Sequence, residues 1–256
     1  MTFSPNLGRW LQEDPIRIEA GDPNFYRYVR NNPSSYLDPL GLKCEKEYVF
    51  PAGLLDALEV AWRQSDSGTA QAVEQGGSII LDKNGKTVIR PIPQRKPGKK
   101  PGENMVIPGG EFPKAKEGES MVGTYHTHPL LPGEADMDVT FSGPVRAGLP
   151  ATDLHSLLGS IATPVTLPQF EGTEMIVRSP NCIFVLALDD LEKCKKNAQL
   201  TLKRFSEAWK ANEKKPRAER QEVALLEAIK DSGLCYYKVC KKDGKFPDRA
   251  PLVAPK

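Results

Sequence analysis

Six residues of apolar and small character, Gly76 to Leu81, run into Asp82-Lys83-Asn84-Gly85-Lys86 and return through Thr87-Val88-Ile89. Two apolar strands around an Asn-Gly turn form a β-hairpin, because Asn and Gly accept the positive φ angles that reverse the chain tightly. Leu54, Leu55, Leu58, Val60 and Ala61 recur at helical spacing and predict an amphipathic helix over 52–65 ahead of the hairpin. Met121 to His128 reads as a further strand. Leu154 to Ile161 reads as a helix with Thr152 or Asp153 at its N-cap. Glu174 to Val177 and Cys182 to Leu188 read as strands joined by Ser179-Pro180-Asn181. Strands and helices therefore interleave over residues 43–190, as expected of an α/β (α+β) domain. Residues 91–118 are dominated by Pro, Gly, Lys and Glu and are expected to be a long surface loop.

The pattern changes on both sides of this domain. From 191 the chain is helical and charged. Leu191, Ala198, Leu202, Phe205 and Trp209 mark the apolar side of one helix, and Val223, Leu226 and Ile229 that of a second beginning at Pro216. A short strand, Leu234 to Val239, and a Pro-rich tail follow. The lysines at 193, 195, 196 and 203 form a solvated helix face or, alternatively, a docking surface for an acidic partner. Residues 1–42 are rich in Pro, Asn, Asp and aromatic residues, with turn signals at Asn31-Asn32-Pro33 and Asp38-Pro39. Such a β-and-turn segment has too little apolar surface to fold alone and is expected to pack on something larger.

Several classes are disfavoured by composition. A net charge of +2 gives no sign of a nucleic-acid binder. No apolar run reaches membrane-spanning length, and the segment from Met1 to Trp10 does not read as a secretory signal. Five cysteines, an odd count in a chain of 256 residues, lead to the expectation of reduced, partly buried thiols rather than a disulfide framework. Cys235 and Cys240 have no obvious further ligands nearby for a zinc knuckle.

Two of the three histidines, His126 and His128, stand in one tripeptide of GTYHTHP. Side chains at i and i+2 of a strand point the same way, so both imidazoles can reach one metal ion. Imidazole suits zinc, and a hydrolytic zinc site uses a third protein ligand and keeps one position open. A nearby carboxylate is then needed to move protons between water and the leaving amine.

Two family resemblances follow from these motifs. Nearly all of residues 7–42, through LGRWLQEDPI, GDPNFYRYVRNNP and YLDPLGL, resembles the end of the Rhs/YD-repeat core that precedes variable toxin domains. The resemblance implies a β-shell core and a cut between Leu42 and Lys43, with Asp14 and Asp38 as the acid pair that activates water. Arg17 stands where that family usually has Gly. Read as residues alone, Asp14-Pro15 and Asp38-Pro39 are equally turn initiators.

Residues 52–188, with His-x-His-Pro as their firmest element, resemble the JAB/JAMM (MPN) metallopeptidase family, whose domains occur among Rhs toxin tips. The resemblance implies a mixed sheet flanked by helices, Zn2+ held by His126, His128 and an Asp, and Glu74 as general base and acid. Asp153 opens a helix and is the preferred third ligand; Asp138 is the alternative, nearer the family's usual spacing. Pro150 stands at the place of the family's serine, and Ser142 is the displaced equivalent that would steady an oxyanion. His155 reads as a group behind the ligands or as polar surface.

Three parts are thus expected: an Rhs core tail over 1–42, a JAB-like toxin domain over 43–190, and a helical extension over 191–256 that packs on it. The implied activity is that of a zinc peptidase or isopeptidase toxin. It would be made in the bacterial cytoplasm and secreted, by a type VI system at the family level, to act on a protein in a target cell. Its partners would be the Rhs shell and a cognate immunity protein. A non-catalytic binding toxin and, less favoured, a nuclease are the alternatives.

Overall fold

A computed structural model describes residues 3–4, 9–10, 44, 46–98, 107, 111–134, 138–141, 153–162 and 174–253. The chain divides into two compact units, Met1–Gly41 and Leu42–Lys256. In the first, strands β1 (Phe3–Ser4) and β2 (Arg9–Trp10) pair antiparallel. Asp14, Asp38 and Leu42 lie outside the described residues.

The second unit is a mixed α/β fold around a six-stranded sheet. Its strands are β4 (Gly76–Leu81), β5 (Thr87–Pro91), β6 (Ser120–Thr127), β7 (Glu174–Arg178), β8 (Cys182–Leu188) and β9 (Leu234–Cys240), in the order β5-β4-β6-β7-β8-β9. All neighbours are antiparallel except β6 and β7. That parallel pair requires a crossover, and the intervening chain carries helix α2 (Asp153–Ala162). A small pair, β3 (Glu47–Val49) with β10 (Arg249–Pro251), completes the strands, and helix α1 (Leu54–Gln64) follows β3.

The β4–β5 hairpin forms where Asn-Gly predicts it. Gly85 takes φ 75°, and the Asp82 carboxylate accepts the N–H groups of Asn84 and Lys86, so the loop is tied by its own side chain.

Alternation along the strands gives the sheet two buried faces, each covered by helix or strand. On one, Leu54, Leu58 and Ala61 of α1 pack with Phe50, Ile79, Tyr125, Ile176, Val185 and Tyr237. On the other lie α2, α3 (Leu191–Ala211) and α4 (Arg217–Ile229), with Val177, Phe184, Leu186 and Tyr236 beneath them. The Asp190 carboxylate caps α3 by accepting the Lys193 N–H at 2.9 Å. The chain from 191 on is therefore built into the sheet unit: two of its helices cover one face, and β9 is an edge strand.

Three readings of the sequence need correction. First, four cysteines form disulfides, Cys44–Cys235 and Cys182–Cys240, and Cys194 is buried and free. The partners lie 191 and 58 residues apart, so only the tertiary fold brings them together. Their odd spacing also puts Cys235 and Cys240 on opposite faces of β9, which rules out a shared knuckle. Second, the buried face of α4 is Gln221, Ala224, Leu225, Ala228 and Ile229. Small alanines let the helix approach the core closely, and Leu226 packs only at its margin. Third, the 91–118 segment is not wholly surface, since Ile107 is buried. No helix among the described residues is long and apolar enough to cross a membrane.

Arg178, at the end of β7, is completely buried. It donates to Glu59 on α1 at 2.8 Å and lies over the rings of Trp62 and Phe246, at 4.6 and 5.2 Å from their centroids. Burial draws its pKa down to about 10. The guanidinium ties α1 to the end of the sheet that carries the histidines.

At the other end of β7, half-buried Glu174 accepts a 2.6 Å hydrogen bond from the Tyr48 hydroxyl on β3. Burial pushes the carboxyl up to about 7. A carboxyl with a raised folded-state pKa contributes most to stability below its unfolded value, and that contribution is lost as pH rises through about 7. Glu174→Gln should therefore be more stable than wild type at pH 8, by on the order of 1–3 kcal/mol, with the advantage shrinking toward pH 5. Denaturant melts of both proteins at these pH values check this; parallel stability curves would contradict it.

Candidate metal centre

The site begins with the register between β4 and β6. Gly76 lies opposite His126, and the ladder runs one step further: Thr127 donates its N–H to the Gln75 carbonyl at 2.9 Å, and the Gln75 N–H goes to Thr127 Oγ1 at 3.1 Å. Glu74, the next residue back, is thereby set beside His128. The approach needs glycine. A Cβ on Gly76 would lie 2.2 Å from the Tyr125 carbonyl oxygen and 2.9 Å from His126 Cα.

On its other side β6 is held by β7. His126 pairs with Val177, and the His128 N–H donates to the Arg178 carbonyl at 2.8 Å. Alternation puts Tyr125 on the α1 side and His126 on the face covered by α2. There the first residue of α2, Asp153, meets both imidazoles: its carboxylate oxygens lie 3.1 Å from His126 Nε2 and 3.2 Å from His128 Nε2. The two Nε2 atoms are 3.1 Å apart, and a Glu74 oxygen lies 3.9 Å from His128 Nε2. Glu74 and His126 are buried, and His128 and Asp153 nearly so.

Glu74, Asp153 and His128 shift with their neighbours. Burial raises the Glu74 carboxyl; the nearby imidazoles oppose that rise and the Asp153 charge adds to it. Burial works against ionised Asp153, but the two imidazoles outweigh it and hold the carboxyl well below its usual range. Burial likewise opposes a charge on His128, and Asp153 with Glu74 overcomes it, so the imidazole pKa rises.

Two backbone groups orient the cluster, and neither was foreseen from sequence. The Ile107 N–H donates to Glu74 Oε2 at 2.9 Å and leaves Oε1 toward the histidines. The Val139 carbonyl lies 3.3 Å from His128 Nδ1 and also accepts the Ser179 hydroxyl at 2.6 Å. With the proton on Nδ1, His128 turns its Nε2 lone pair into the site. The short apolar run Met105-Val106-Ile107 inside a Pro/Gly/Lys stretch was the only trace Ile107 left in the sequence.

The two candidate aspartates separate cleanly. Asp153 joins both histidines, whereas Asp138 is engaged elsewhere: its Oδ1 accepts the N–H groups of Asn181 and Cys182 at 2.6 and 2.9 Å, fastening the β7–β8 turn. His155 is exposed on α2 and takes no part. Ser142 lies outside the described residues. The lysines at 193, 195, 196 and 203 are exposed along α3.

The buried Glu74, His126 and His128 group can hold a metal ion, its donor atoms lying within 4.8 Å of one another. The donor chemistry fits: two imidazole nitrogens and an Asp153 oxygen are spaced about as ligands 2.0–2.2 Å from a shared tetrahedral ion would be. No family model, curated protein or solved structure matches the chain.

Gly76→Ala is expected to force β4 and β6 apart. Stability should fall by about 1–3 kcal/mol, and added zinc should raise the melting temperature less than in wild type. Thermal melts with and without zinc measure both effects; wild-type behaviour in both would show that the close approach is not needed.

Proposed function

We propose that the Leu42–Lys256 unit is a zinc-dependent peptidase or isopeptidase. The reading rests on one observation: His126, His128 and Asp153 converge at about 3 Å, with a second buried carboxylate, Glu74, beside them. The two imidazoles and Asp153 would hold the ion. When bound, zinc supplies Lewis acidity that makes water and a substrate carbonyl reactive near neutral pH.

The chain's own groups account for the remainder. Glu74 approaches one histidine at 3.9 Å and is held through its other oxygen by the Ile107 N–H, which suits a proton carrier better than a ligand. It takes the proton of the attacking water and delivers it to the leaving nitrogen, so a neutral amine departs. The Val139 carbonyl, 3.3 Å from His128 Nδ1, holds that imidazole in place. Ser142 is assigned to the substrate oxyanion on the JAB/JAMM resemblance.

Residues 7–42 support the wider setting through their resemblance to the end of an Rhs core. In this reading the protein is the toxin end of an Rhs effector, made in a bacterial cytoplasm and exported by a type VI system. It is freed after Leu42 by Asp14 and Asp38, acts on a protein of the target cell, and is restrained in its producer by an immunity protein.

Glu74→Gln separates chemistry from metal binding. With the disulfides intact it should retain about one zinc per chain by elemental mass spectrometry while toxicity on expression in bacteria is lost, with activity down about 10²- to 10⁴-fold. His126→Ala/His128→Ala should lose both. Full toxicity in Glu74→Gln would overturn the mechanism.

A further inference from the structure

The Cys44–Cys235 disulfide lies at the end of the sheet away from the histidines. Cys235 pairs with Ala187 near the start of β9, whereas His126 lies level with Val177, Phe184 and Lys238. A tight corner brings a third polar group beside it. Asp189 follows β8 directly and donates its N–H to the Gly233 carbonyl at 2.7 Å. Gly233 takes φ 79°, and a Cβ there would lie 2.4 Å from the Asp190 carbonyl oxygen, so the corner depends on glycine. Cys44 is brought in by the strands that follow it: Leu252 donates to Lys46, and Leu252 also bridges to Tyr237 on β9. The two sulfurs and an Asp189 oxygen consequently lie within 4.8 Å of one another.

All three residues border a cavity of about 220 Å³ that also touches Lys193, Ser232 and Tyr236. The disulfide occupies both sulfurs, but its reduction would leave two thiols and a carboxylate facing one another beside an open space. Thiolate sulfur selects zinc-like ions over magnesium or calcium. Three protein ligands with access to a cavity also match a zinc site that keeps one open position.

We propose that Cys44, Cys235 and Asp189 form a second, thiol-dependent zinc site that is mutually exclusive with the disulfide. A thiol reductant supplies two hydrogens and is itself oxidised to a disulfide, while Cys44 and Cys235 become thiols. Zinc then displaces the two thiol protons and is held by two thiolates and the Asp189 carboxylate. The link between the segment at Cys44 and strand β9 is kept in both states, as a covalent bond in one and through the ion in the other. This site shares no residue with the histidine cluster.

The test is zinc stoichiometry of the full chain, oxidised and after reduction with a phosphine, following removal of free metal. Reduced protein should carry one zinc more than oxidised protein. The additional ion should persist in His126→Ala/His128→Ala and in Cys182→Ser/Cys240→Ser. It should vanish in Cys44→Ser and bind about 10- to 100-fold more weakly in Asp189→Asn. Cobalt(II) added to reduced wild type should give thiolate-to-metal charge-transfer absorption, which checks the ligands without a substitution. Equal zinc content in the two redox states, or an additional ion that survives Cys44→Ser and disappears with Cys182→Ser/Cys240→Ser, would overturn the proposal.

Discussion

Two imidazoles and two carboxylates share one buried corner, where an uncompensated charge costs several kcal/mol. Mutual pairing reduces that cost. Asp153 reaches both histidines, and Glu74 is tied by the Ile107 N–H. The arrangement depends on backbone as much as on side chains. Without Gly76 the β4 and β6 chains could not approach closely enough to set Glu74 beside His128. Without the parallel β6–β7 pair there would be no crossover to carry α2, and hence Asp153, over the histidine face. Four groups from three separate segments converge at this corner.

The sheet is correspondingly asymmetric in its demands. At the histidine end, Arg178 crosses between Trp62 and Phe246 to fix α1, and its carbonyl receives the His128 N–H. At the other end, Tyr48, Glu174 and the Cys44–Cys235 link hold the first strands of the unit against β7 and β9. The inner strand β6 is held in register from both sides, by its ladders with β4 and β7. Register is what keeps His126 on the correct face, since a shift of one residue would turn it to the opposite side.

Much of this was legible in the sequence because it is local. The hairpin around Asn84-Gly85, the strand Met121 to His128 and the helix Leu191 to Ala211 are each written in spacing and turn chemistry. That Asp153 meets the histidines is legible for the same reason: it opens a helical pattern, while Asp138 precedes β-branched residues and serves a turn. What stayed hidden is non-local. The disulfide partners are joined only by the fold, and the alanine-lined face of α4 was missed because Val223 and Leu226 carry more apolar weight than the small residues that pack closest. Ile107 and Val139 act through backbone atoms, which every residue has and no motif records.

The central claim is that His126, His128 and Asp153 hold one metal ion. Anomalous X-ray diffraction at the zinc edge, on crystals of the zinc-loaded chain, tests it most directly. The account requires a peak about 2.0–2.2 Å from both Nε2 atoms and from an Asp153 oxygen, with Glu74 beside it. A site free of anomalous density, or a zinc held there by Asp138 in place of Asp153, would contradict it.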